Sequence, residues 1–394
     1  MARGLMRLYE RIDAVPALSA EERQLIDSVR LLARERVMPR AAAHDRSGEF
    51  PWDNVRDING LGLNQMFVPE AYGGAPLSYA AYLACVRELS QACAATGIIW
   101  ATNFHAVAPV IDHGSEEQKH RLLPRIAAGG LAALAITEPE AGSDATHMTT
   151  RFTAEGDDII VSGGKTFITN GDVADLILVF GKWTGSADRR QAISALIVEK
   201  DRPGLRVLRR EDKMGHRASS TVALAFEDCV VPRANLLAGP GAGLPLLLAA
   251  LNKSRPSIAA HALGIARAAF EDALAYVNER RQSGRLIIEF QGIQFLLADL
   301  AAELALCERW LWHVAGLVDT GAADFGPEAS ILKLRASDLA MRMTTEAVQL
   351  FGGYGYIKDN RVERLMRDAK ITQIWEGTNQ IHRRIIGRSL IARA

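Results

Sequence analysis

Along the first third of the chain, apolar residues recur every three to four positions. In "SAEERQLIDSVRLLARERV", Leu25, Ile26, Val29 and Leu32 fall on one helical face, and Ser19 precedes Glu22 at the spacing of a reciprocal N-terminal cap. "GSEEQKHRLLPRIAAGG" repeats the device with Ser115 and Gln118 and closes on Gly129-Gly130. Between them, "PWDNVRDINGLGLNQMFVPEAYGG" alternates short amphipathic pieces with Gly and Pro turns. Near residue 131 the pattern changes: "LAALAIT", "DDIIVSG", "ADLILVF", "AISALIVEK", "GLRVLRR" and "STVALAFEDCVV" are short, apolar or alternating, and divided by turn signals. They predict a compact, mostly antiparallel β domain. The helical period then returns in "GLPLLLAALNKSRPSIAAHALGIARAAFEDALAYVNERR", which exceeds one ordinary helix length, and in "EFQGIQFLLADLAAELALCERWLWHVAGLV". Long amphipathic helices in succession imply an antiparallel bundle. The pattern therefore predicts an α+β chain: helical over 1–130, β over 131–243 and a helical bundle over 244–394.

Composition narrows the function classes. Of 394 residues, 48% are apolar and 23% charged, with Lys plus Arg equal to Asp plus Glu at 46 each. That balance gives no electrostatic reason for a nucleic acid or an anionic membrane as partner. The four cysteines (Cys85, Cys93, Cys229, Cys307) show no CxxC and no Cys/His cluster, so no metal site or disulfide framework is expected and a reducing, cytoplasmic setting is. The N-terminal "MARGLMRLYERIDAVP" is broken by charges and lacks a signal-peptide core. No stretch approaches about 18 uninterrupted apolar residues, so membrane insertion is not expected.

Three segments carry candidate chemistry. In "ITEPEAGSDATHMTT" a strand runs into a polar loop, where Gly142 permits close backbone approach and Ser143 offers a hydroxyl; a plain tight turn is the other reading. "GGKTFITNG" places Phe167 and Thr169 two apart on one strand face, which an ordinary alternating strand also does. In "ITQIWEGTNQIHRR", Thr378 reads as a helix N-cap and Glu376 stands between Trp375 and Gly377. Glu376 is either a solvated turn residue or an acid in a mostly apolar pocket, poised as a base.

With "FVPEAYGG", "KMGHRASSTVALAFEDCVVP", "RRQSGRLIIEFQ" and "QLFGGYGY", these segments stand in one order in which the chain resembles the acyl-CoA dehydrogenase family over essentially its whole length. The resemblance implies an FAD-dependent enzyme that converts an acyl-CoA to a trans-2-enoyl-CoA and passes electrons to an electron-transfer flavoprotein. It implies a homo-oligomer, usually a tetramer built as a dimer of dimers. It assigns flavin contacts to Ile136, Thr137, Gly142, Ser143, Phe167 and Thr169. Further FAD contacts fall on Arg280, Gln282, Gln291, Thr378 and Gln380, and on Gln349, Gly352 and Gly353, whose loop reaches a neighbouring subunit's FAD. For the thioester it assigns Ser143, Asn252, Arg255 and Gly377, with Glu376 as catalytic base and its backbone N–H as a donor to the thioester oxygen. Trp100 and Phe104 are expected in the acyl wall, their bulk favouring a short or compact acyl group; core packing is their other reading. His105 is expected to be structural.

Some positions depart from the family pattern. Phe167 stands where Trp is more usual, Trp375 where Tyr is, Asn252 where a carboxylate is common, Ser283 where Phe is and Glu140 where Gly is. Some relatives carry the base at the position of Ser254, which serine cannot fill. An oxidase or another flavin-dependent member of the fold, and a catalytically idle acyl-CoA binder, are the alternatives the resemblance leaves open.

Overall fold

A computed structural model describes residues 3–391 of the chain apart from 187 and 189. Helix α1 (Arg3–Asp13) precedes α2 (Ala20–Leu32), where the Ser19 side chain accepts from the Glu22 N–H and Glu22 accepts from the Ser19 N–H. The expected cap is thus present. A π-helical turn leads into α3 (Met38–Ser47), followed by α4 (Trp52–Gly60), α5 (Tyr79–Ala92), α6 (Ala94–His113) and α7 (Glu116–Ala127), the last with the Ser115–Gln118 capping box. Helix α6 is long and apolar enough to cross a membrane by length and composition, but 89% of its apolar window is buried inside the protein. It is a core helix.

The strands are β1 (Ala132–Ala135), β2 (Arg151–Glu155), β3 (Asp158–Thr169), β4 (Leu176–Trp183), β5 (Ile193–Glu199), β6 (Leu205–Arg210), β7 (Thr221–Pro232) and β8 (Leu236–Leu237). Their order is β6-β7-β3-β2-β4-β5-β8, with β1 also on β4. Pairing is antiparallel except where β4 receives β1 and β2 in parallel. Strand β4 is buried on both faces: Leu176, Leu178 and Phe180 join the helical core, while Ile177 and Val179 face a second core within the sheet. Two register shifts interrupt β3 opposite β7, the second between Lys165 and Ile168. That bulge turns Phe167 out of the ladder at φ +59°.

The C-terminal part begins with α8 (Gly243–Glu279), one continuous helix of 37 residues that runs through Pro256. A tight hairpin of β9 (Arg281–Gln282) and β10 (Arg285–Leu286) turns on Ser283 and Gly284, at φ +50° and +77°. Then come α9 (Gln291–Asp319), α10 (Gly326–Phe351), α11 (Val362–Ile371) and α12 (Asn379–Ser389). Helices α8 to α11 pack as the four-helix bundle, α12 lies against α10, and α5 crosses α8. The α5–α8 crossing is so close that a Cβ on Gly264 would sit 2.4 Å from the Arg87 carbonyl oxygen. Both helical parts therefore share one core.

Candidate active site

The loop between α11 and α12 carries Glu376. Thr378 caps α12, its hydroxyl accepting the Ile381 N–H at 3.3 Å, as the sequence suggests. Just before the cap, Glu376 and Gly377 are both left-handed, at φ +50° and +95°. Only the glycine adopts this without strain, so the conformation of Glu376 has to be held by its surroundings. The turn directs the carboxylate at α8, where the Ser254 hydroxyl donates to Oε2 at 2.5 Å. The two positions among which the resemblance divides the base are thus in contact. Among the described residues, no acceptor takes the Glu376 backbone N–H.

The surroundings of Glu376 correct one expectation. The carboxylate is half-buried, and its setting is polar rather than mostly apolar. Ser254 touches it, and its charge acts on Arg255, Lys333, His105 and Tyr82. Arg255 is buried, donates to Asn252 Oδ1 at 2.6 Å, and has its pKa lowered by burial against the pull of Glu376. The apolar character of Ile374 and Trp375 misleads because the facing atoms come from α8 and α10. Behind the loop, Trp375 packs on His216 and His261 at ring distances of 5.2 and 5.6 Å. Ser90 donates to the Val86 carbonyl and so accepts from His261 Nδ1; His261 Nε2 then accepts from His216 Nε2 at 2.8 Å. Burial keeps both imidazoles neutral, His261 at about 3.

One turn beyond Ser254 on α8, Ser257 Oγ lies 3.0 Å from both the Tyr82 hydroxyl and His105 Nε2. Phe104 packs on Tyr82 at 4.5 Å and on Tyr79 at 5.7 Å. Trp100 does not share this face. It is 2% exposed, donates from Nε1 to Asn64 Oδ1 at 3.1 Å, and stands behind Tyr82. Tyr82 is equally enclosed at 2% and its hydroxyl is engaged with Ser257, so of the two expected wall residues only the half-buried Phe104 keeps open surface, and Trp100 takes its other reading, core packing.

The flavin-type segments lie together after β1 and at the end of β3. The Thr166 N–H donates to the Thr137 carbonyl at 2.9 Å, and Lys165 Nζ to the Ile136 carbonyl at 2.9 Å. Phe167 is 62% exposed, Thr137 and Thr169 are half-buried beside it, and Gly142 and Ser143 are exposed in the loop. An aromatic left facing outward, flanked by hydroxyls, fits a flat ring with polar edges. FAD fits the residues present. Arg280, Gln282, Gly352 and Gly353 gather elsewhere, in a cavity of about 450 Å³ walled by Tyr276 and Phe351. Gln291, Gln349 and Gln380 are exposed. Ser254 lies about a third of the way along α8 and Arg280 just past its C-terminal end, separated by about 39 Å at a rise of about 1.5 Å per residue. Among the described residues, no group of three or more His, Cys, Asp or Glu side chains could hold a metal ion.

Beneath the flavin-type loop, Glu138 and Lys165 form a buried pair at 2.7 Å. Burial alone would raise the Glu138 pKa, but Lys165 and bonds from Thr149 and Thr150 hold it at about 2. Burial draws Lys165 down to about 8 against the pull of Glu138. Because Glu138 is depressed below its ordinary 4.5, its contribution to stability is complete above pH 4.5 and lost as pH falls through about 2. Glu138→Gln is expected to cost about 3–5 kcal/mol at neutral pH by stranding Lys165. It should also flatten the decline of Tm across that acid window, and Lys165→Met in the same chain should restore part of the loss.

Sequence reasoning missed Lys333, Tyr82, Ser257 and the His216–His261 pair. Lys333 had a local signal: it occupies the buried stripe of α10 with Ala329, Leu332, Ala336 and Ala340. The histidine pair joins residues 45 apart on separate elements and had none.

The arrangement is a carboxylate facing α8, an unpaired backbone donor beside it and an aromatic-walled flavin surface. The chain matches the family models of the acyl-CoA dehydrogenase N-terminal domain over residues 19–130, middle domain over 133–229 and C-terminal domain over 241–391. The chain belongs to the acyl-CoA dehydrogenase family and is an FAD-dependent enzyme of acyl-CoA dehydrogenation. It is 42% identical to an acyl-CoA dehydrogenase of Bacillus subtilis (strain 168), covering 95% of this chain and 99% of that one. Among solved structures, butyryl-CoA dehydrogenase from Megasphaera elsdenii superposes with a TM-score of 0.92 at 35% identity, over 95% of this chain and 99% of that one. A chain solved in work on the electron transferring flavoprotein of Acidaminococcus fermentans superposes with a TM-score of 0.93 at 39% identity, over the same shares.

Proposed function

We propose that Glu376 is the base of a dehydrogenase acting on short or compact acyl-CoA thioesters, with an electron-transfer flavoprotein as electron acceptor. The observation that carries this is the left-handed turn that sets Glu376 against Ser254 while leaving its N–H unpaired. Glu376 takes the α proton, the α C–H electron pair becomes the new π bond, and the β hydrogen leaves with its own pair. FAD, when bound, accepts that hydride. The Glu376 N–H lies where it can donate to the thioester oxygen as charge builds there. Arg255 and Asn252 orient the ligand beside the base, and Ser143 and Gly377 complete its contacts. Phe167 walls the ring, with Ile136, Thr137, Gly142, Ser143 and Thr169 around it and Thr378 and Gln380 near the base loop.

Tyr79, Tyr82 and Phe104 close the space beyond Glu376, which supports a short acyl group. The Megasphaera enzyme, named for butyryl-CoA, points the same way. The Acidaminococcus structure supports a flavoprotein acceptor. The site is completed by a second copy. Arg280 and Gln282, beyond the C-terminal end of α8, share a cavity with Gly352 and Gly353 after α10, too far from Ser254 to reach a flavin whose ring is at Glu376; with Gln291 and Gln349 they serve a neighbour's FAD in a homo-oligomer, a tetramer by the family pattern. All four cysteines are buried and free, which supports a cytoplasmic setting.

Anaerobic titration of the flavin with straight, branched, cyclic and aromatic acyl-CoAs tests the reading. Rapid bleaching by butyryl-type or compact thioesters is expected, with slow reoxidation by oxygen and fast reoxidation by a flavoprotein acceptor. Best reaction with palmitoyl-CoA overturns the short pocket, and oxygen as the fast acceptor overturns the dehydrogenase assignment.

A further inference from the structure

We propose that Lys333, buried in α10, is a positioning residue that clamps the Glu376–Gly377 turn and thereby aims the base. Lys333 has no exposed surface, and its Nζ donates to the Gly377 carbonyl at 2.7 Å and to Asn379 Oδ1 at 3.1 Å. Asn379 is itself fixed, accepting from Ser337 Oγ at 3.1 Å and donating to Asp338 Oδ1 at 2.7 Å. A buried ammonium is unfavourable unless its donors are used, and a Leu or Met would fill this stripe of α10 without that penalty. The lysine is therefore present for what it holds.

What it holds is the residue pair that needs holding. Two consecutive left-handed residues, one of them a glutamate, relax toward ordinary backbone unless something fixes the carbonyl that follows. Relaxation would withdraw the carboxylate from Ser254 and turn its N–H away from the thioester position. His382 confines the other side of the turn, since a Cβ on Gly377 would meet its Nε2 at 3.2 Å. The charged and titratable groups around Lys333 are Glu376, Arg255, Asp338 and His382. Burial lowers the Lys333 pKa to about 7 while Glu376 opposes the fall.

The inference rests on Glu376 being the base. Glu376→Gln reports on that alone, because it leaves both Lys333 hydrogen bonds in place. The test of the clamp is Lys333→Met in the FAD-loaded protein. Bound FAD per chain and KM should stay within about threefold, while kcat and anaerobic flavin reduction fall about 10²-fold, the scale of a misplacement of about 1 Å. Lys333→Gln, which can still donate one hydrogen bond, should regain part of kcat. Unchanged kcat in Lys333→Met overturns the proposal. So does a loss of kcat matched by loss of FAD, or failure of both variants to fold, since either makes the lysine a stability residue only.

Discussion

Glu376→Gln should give a yellow protein that binds acyl-CoA and scarcely turns it over. The amide keeps the shape of the side chain and can still accept from Ser254 Oγ, so the turn and the α12 cap remain. What disappears is the one group placed to take the α proton. His105 is no substitute, because its Nε2 is engaged with Ser257 and burial lowers its pKa. Tyr82 is buried, its pKa raised, and committed to Ser257. Loss of a general base costs about 10²–10⁴-fold, and the upper end is expected where no neighbour can replace it. The measurement is anaerobic flavin reduction by substrate; bleaching at the unmodified rate removes Glu376 from the mechanism. Ser254→Glu added to the Glu376→Gln chain should return a small part of the rate, since position 254 already touches the side chain at 376.

Arg280→Glu is expected to weaken FAD binding about 10²-fold, because a charge-assisted bond to phosphate is worth about 1.5–3 kcal/mol and a repulsion takes its place. The defect should fall on the neighbour's site, not on the altered chain's own. Phe167→Asp should damage the other half, within the same chain as Glu376. Two inactive variants then complement. In a randomly mixed oligomer about a quarter of the sites combine an intact Phe167 with an intact Arg280 from the next subunit, if each site is shared across a two-fold axis. Co-expression with two different tags, followed by purification through both, selects the mixed species. Mixed oligomers that carry no more flavin than either parent would show that Arg280 serves its own chain.

Elements governed by local chemistry were readable from the sequence. The two capping boxes, the Thr378 cap and six strands follow from residues within a few positions of each other. Strand β2 escaped because Phe152 is its one fully buried residue, the other four being exposed, so no alternation marks it. Pro256 invites a break that the helix does not make. Glu376 could be singled out as the candidate base only through the order of motifs, and its polar setting not at all. Ser254 and Lys333 lie 122 and 43 positions earlier in the chain, and nothing local records that one touches its carboxylate and the other the carbonyl of Gly377. Trp100 shows the converse. Bulk in a helix reads the same whether a ring keeps open surface, as Phe104 does, or is enclosed in the core.

Helix α6 has a consequence for biosynthesis. Its apolar surface is covered in the finished protein largely by α5, β1 and α8, and α8 begins 130 residues after α6 ends at His113. At about 5–20 residues per second, a ribosome needs on the order of ten seconds or more to supply that cover. Throughout this interval the nascent chain displays a segment with the hydropathy of a membrane anchor and no partner for one side of it. Chains interrupted before α8 therefore present a sticky, half-covered helix, which makes them clients for chaperones and proteases and prone to aggregate.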